Sequence, residues 1–127
     1  MSVGTFDPNA TENSFDIELA RELLDLFDGE DITLGKSGQL RYGILARHAG
    51  WAGAMDRFLD EEVIGLAKIF TLLEHQYTTF QAGSDSPVIA MVQALKVRNQ
   101  WNKPLTQWIK SHTDNRFLPH GSLMDRL

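Results

Sequence analysis

A chain of 127 residues with 43% hydrophobic and 23% charged side chains has the balance of a folded globular protein, long enough to bury about two-thirds of the surface its unfolded form exposes. The absence of cysteine excludes disulfides, thiolate nucleophiles, Cys-based zinc sites and iron–sulfur clusters. The net charge of −5 is unevenly divided: residues 1–84 carry 14 acidic and six basic side chains, residues 85–127 carry three acidic and six basic, so only the C-terminal third offers a basic face.

Residues 1–13 are small, polar and acidic, and read as a flexible N-terminal arm; residues 14–127 read as one helical domain. The arm has no basic start followed by an apolar run, and no stretch approaches the ~20 apolar residues of a membrane span. A cytoplasmic protein without membrane association is the expectation. Residues 14–27 form an amphipathic helix, with Leu19, Leu23, Leu26 and Phe27 sharing a face with Phe15 and Ala20, Asn13 or Ser14 as its cap, and Gly29 ending it. In residues 30–37, Ile32 and Leu34 alternate with polar residues, as in a short extended connector.

Residues 38–48 carry Leu40, Ile44, Leu45 and His48 at helical spacing, and a break at Ala49-Gly50 leads to a short helix with Met55, Phe58 and Leu59. Residues 60–80 hold the longest helical pattern of the chain. Val63, Leu66, Ala67, Ile69, Phe70, Leu73, Tyr77 and Phe80 fall in an arc roughly 160° wide, while Ile64 and Leu72 lie outside it. That arc is too wide for a helix touching one neighbour. The spacing predicts a central helix, capped at Asp60, and an all-α bundle of five or six helices packed around it.

Ser86-Pro87 opens the next helix, with Val88, Met91, Val92 and Leu95 as its stripe up to Arg98. Pro104 opens another, in which Leu105, Trp108, Ile109 and His112 follow helical spacing. The tail from Thr113 has turn chemistry at Asp114-Asn115 and at Pro119-His120-Gly121, with scattered apolar residues.

Chemistry has few footholds. His48, His75, His112 and His120 each lack a His or carboxylate three or four residues before them, so no helical metal pair forms and neither a metal nor a cofactor is expected. Glu74 interrupts the apolar arc between Phe70 and Tyr77. A carboxyl buried there would be a weak candidate acid or base with a raised pKa; the plainer reading pairs it with Arg41, Arg47 or Arg57. Residues 45–59 place Ala46, Ala49, Gly50 and Trp51 where helix-turn-helix DNA-binding segments have a small residue, a core residue, the turn glycine and an apolar residue. The stretch resembles that motif, which implies a nucleic-acid-binding regulator, although Asp56 stands where the motif buries an aliphatic side chain. The C-terminal third combines cations with Trp101 and Trp108, a composition suited either to stacking on a single strand or to anchoring a protein.

The resulting expectation is a non-catalytic protein-interaction or regulatory module. It would bind a partner, or a second copy of itself, through Arg98, Trp101, Lys103, Arg116, Phe117 and His120. A nucleic-acid-binding regulator is the alternative, and an enzyme using Glu74 the third reading.

Overall fold

The computed structural model describes residues 15–113 and residue 115. Among them it contains α1 (Ile17–Leu26), α2 (Lys36–Ala46), α3 (Trp51–Ala54) running into a 3-10 turn (Met55–Arg57), α4 (Asp60–Gln76), 3-10 turns at Thr78–Phe80 and Gly83–Asp85, α5 (Pro87–Val97) and α6 (Lys103–His112). The arm predicted at residues 1–13 lies outside the described residues.

The helix expected at the centre is there. α1, α5, α6 and the Thr78–Phe80 turn all pack on α4. Val63, Leu66, Ala67, Ile69, Phe70 and Leu73 are fully enclosed, and Leu72, on the polar side of the helical wheel, is buried as well. A helix surrounded on several flanks has little face left for water. The result is an all-α bundle of six packed helices, as the spacing predicted.

Both ends of α4 depart from the expectation. Leu59, rather than Asp60, is the N-cap residue, and its N–H donates to the Glu62 carboxylate at 2.8 Å. Asp60 instead accepts from Arg98 at 3.0 Å. The helix stops at Gln76 rather than at residue 80. Tyr77 is extended (φ −126°, ψ 123°), and Phe80 reaches the core from the separate turn after it. Thr78 and Thr79, both β-branched, weaken any continuation.

α1 starts at an Asp16 cap, whose side chain accepts the Leu19 N–H at 3.0 Å, with Phe15 packed edge-on against Trp51 at 4.5 Å. Its core face is Ile17, Ala20 and Leu23; Leu26, expected inward, is mostly exposed. Gly65 lets α1 approach α4 closely, since a Cβ there would stand 2.9 Å from Leu24 Cδ2. Ile32 and Leu34 bury their side chains as the alternation predicted. Their backbone is held by the end of α4: Gln76 Nε2 donates to the Ile32 carbonyl at 3.0 Å and the Tyr77 hydroxyl meets Leu34.

α2 turns opposite to expectation on its most apolar pair. Tyr42, Leu45 and Ala46 face the core, while Leu40 and Ile44 are each 69% exposed. Ser86 caps α5 by accepting the Val88 N–H at 3.2 Å, and Val88, Met91, Val92 and Leu95 form its buried stripe as predicted. α5 ends in a Schellman arrangement, with Gln100 N–H on the Leu95 carbonyl at 2.8 Å, Asn99 N–H on that of Lys96 at 3.1 Å, and Asn99 at φ 60°. Asn102 caps α6 through the Leu105 N–H at 2.9 Å.

Candidate functional site

Glu74 lies in the last two turns of α4, on the face the apolar arc turns inward, and is only 4% exposed. None of the arginines considered from sequence reaches it. Arg41 pairs with Glu22 at 2.9 Å, and Arg47 donates to the Thr79 carbonyl at 3.3 Å. Its partners are neutral: the Ser86 hydroxyl donates to Oε2, and the Asn115 amide donates to Oε1 at 3.3 Å and to the Gly83 carbonyl at 3.0 Å. Loss of water pushes the carboxyl up to about 7, and the two hydrogen bonds only partly oppose that rise.

A cleft of about 290 Å³ opens over this carboxyl, lined by Glu74, His75, Gln81, Ala82, Gly83, Thr113 and Asn115. It adjoins a wider trough of about 760 Å³, which runs between the turn after α2 and the start of α5 and shares Gln81 and Ala82 with it. Ser86 links the two, lining the trough while bonding Glu74. At the trough's rim the His48 Nδ1 accepts the Gly50 N–H at 2.8 Å. The imidazole covers Gly50 so closely that a Cβ there would stand 2.9 Å from the ring.

Of the binding residues nominated from sequence, Arg98, Trp101 and Lys103 lie among the described residues. The Arg98 guanidinium donates to the carbonyls of Met55 at 2.7 Å and Phe58 at 3.1 Å, besides Asp60, and so ties the end of α5 to the start of α4. Trp101 is half-buried against the core, and Lys103 is exposed at the first position of α6. Arg116, Phe117 and His120 lie outside the described residues. In residues 45–59, the helix after the turn is four residues long before it tightens to 3-10. Trp51, Ala54, Met55 and Phe58 are all buried, so no recognition helix projects from the bundle.

The remaining polar groups have packing explanations. His112 stacks on Trp108 with centroids 3.9 Å apart and donates through Nδ1 to the Trp108 carbonyl at 2.6 Å; Lys68 Nζ lies 5.2 Å from the same indole. Among the described residues, no group of three His, Asp or Glu side chains is placed to hold a metal ion, and no helix is long and apolar enough to cross a membrane.

Sequence reasoning found Glu74 but not its partners. Asn115 lies 41 residues away on the chain and carries only a turn signal, and Ser86 is legible only as a helix cap. The outward pair Leu40 and Ile44 was missed because i, i+4 spacing is identical for an inward and an outward face. The fold and its hollows thus define a helical bundle in which, among the described residues, one buried carboxyl lies in a cleft. The chain matches no protein-family model, no curated protein and no solved structure.

Proposed function

We propose that this protein is a non-catalytic interaction module that associates with a second copy of itself through the outward face of α2. The observation that carries this reading is the 69% exposure of both Leu40 and Ile44, one turn apart, on a helix whose opposite face is core. A helix that is apolar on two faces is normally covered on both.

Charge supports a copy of the chain as the occupant. α1 carries Glu18, Glu22 and Asp25 toward solvent, whereas α2 with its cap carries Lys36, Arg41 and Arg47 and no acid. α1 and α2 are packed neighbours, joined by the Glu22–Arg41 pair. A two-fold axis passing between α1 and α2 would set the basic helix of one protomer against the acidic helix of its partner, the self-complementarity that an isologous interface requires. Arg98 and Trp101, engaged in packing, support this role less well than α2 does.

Sedimentation across a concentration series tests the proposal. A wild-type dimer that becomes monomeric in the Leu40→Lys, Ile44→Lys double variant, with its melting temperature unchanged, supports it. A wild-type chain monomeric at every concentration overturns self-association, and a double variant that remains dimeric overturns the surface.

A further inference from the structure

We propose that the cleft over Glu74 is a binding site for a small organic cation with N–H donors, of the primary ammonium or guanidinium type. The inference is independent of the α2 interface, which lies on a different set of residues.

Three features of the cleft lead to this ligand class. First, the hollow is concave, about 290 Å³, at the lower end of the range for small-molecule sites, so it suits a ligand of on the order of ten heavy atoms. Second, its lining sets side chains able to accept a hydrogen bond, Thr113 and Gln81, beside the Glu74 carboxyl. The two donors that touch the carboxyl are already committed. The Asn115 amide hydrogens go to Glu74 and Gly83, and the Ser86 hydroxyl goes to Glu74. Third, among the described residues the buried acid of the cleft is met by neutral groups, a hydroxyl and an amide, where a buried carboxylate is ordinarily matched by a cation.

An entering ammonium or guanidinium supplies that missing charge. It accepts no hydrogen bond, so it does not compete for Asn115 or Ser86, and it donates to the oxygen that Asn115 holds only loosely at 3.3 Å. An anionic ligand meets Glu74's repulsion, and an apolar one leaves the polar wall groups dry. The binding step is a proton exchange as well as an association. Where Glu74 is protonated, the proton on its carboxyl leaves to solvent as the cation binds, so the net charge carried into the cleft is balanced.

Other charged groups near the two hollows must be kept apart from Glu74 in any pH measurement. His75 on α4 lines the cleft itself, and Asp85, Arg47 and His48 line the adjoining trough; no titratable side chain of α1 or α6 lines either. The His75→Gln variant separates any contribution of that ring from that of Glu74.

The test is an NMR titration of the full chain with n-butylammonium and n-butylguanidinium, with n-butanol as the uncharged control, following the Asn115 side-chain amide. Both cations are expected to shift that signal at millimolar concentration, and butanol is not. Affinity is expected to fall at least about tenfold from pH 8 to pH 5.5, as protonation of Glu74 competes with the cation. Glu74→Gln is expected to abolish the response, and Ser86→Ala to preserve or strengthen it by freeing one carboxylate oxygen. In His75→Gln the pH dependence is expected to persist. No shift from either cation at about 10 mM overturns the inference. It is overturned equally by a matching shift from butanol, by binding that survives Glu74→Gln, or by a pH dependence that disappears with His75.

Discussion

The Tyr77 hydroxyl engages both backbone groups of Leu34, accepting its N–H at 3.1 Å and donating to its carbonyl at 3.4 Å. It thereby does for an extended segment what a neighbouring strand would do, and secures the connector between α1 and α2 to the end of α4. Tyr77→Phe keeps the ring but takes the acceptor from the Leu34 N–H, on a residue 6% exposed, while the Leu34 carbonyl still accepts from Gln39 Nε2 at 3.2 Å. The expected loss is about 1–2 kcal/mol of stability, read as a lower urea midpoint at unchanged slope.

Arg98 bridges three oxygens belonging to Met55, Phe58 and Asp60, and its side chain is largely enclosed. Arg98→Ala strips donors from two carbonyls and an acid at once, so a loss of about 2–3 kcal/mol is expected. Arg98→Lys should recover only part of it, because one ammonium cannot reproduce the planar fork. Urea unfolding of both variants checks this; a change below about 0.5 kcal/mol in Arg98→Ala would contradict the bridging role.

Glu74 makes stability depend on pH in a stated direction. Its folded-state value of about 7 lies above the ordinary 4.5, so between those values the folded protein retains a proton that the unfolded chain gives up. The contribution is fully present below about pH 4.5 and is lost as pH rises through about 7, at a cost of up to about 3 kcal/mol. Glu74→Gln, which cannot ionise, is expected to match wild type near pH 4 and to exceed its stability by about 1–3 kcal/mol at pH 8. Thermal melts of the two proteins at several pH values provide the comparison, and curves that run parallel across the range would refute it.

Asn99 sits in the left-handed region at φ 60°, where α5 ends. Asn tolerates that conformation better than most residues, and Gly tolerates it best. Asn99→Gly is expected to be neutral or stabilising by up to about 1 kcal/mol, and Asn99→Val to be destabilising by about 1–2 kcal/mol, measured by thermal unfolding. The reverse order would show that the Asn99 side chain, and not its backbone, holds the turn.

Periodicity and capping chemistry made much of this fold readable in advance. Ser86-Pro87 started a helix where a hydroxyl cap followed by proline demands one, and the width of the α4 arc announced a helix packed on several sides. Those signals act within a few residues, so they survive in the chain as spacing. Facing is weaker information. Leu40 and Ile44 have the spacing of a buried pair and point outward, because Tyr42, Leu45 and Ala46 on the other side of α2 meet α1 and the Thr78–Phe80 turn instead.

By itself, then, the sequence determined the helical class, the central position of α4 and the odd placement of one acid among its apolar residues. Only the tertiary structure decided that this acid meets Ser86 and Asn115 rather than an arginine, that Arg98 serves the bundle, and that Trp101 leans on the core. The physical reason is distance along the chain. A cap or an apolar stripe is settled by neighbours three or four residues away, whereas the environment of Glu74 is made by groups 12 and 41 residues removed, which come together only when the helices pack.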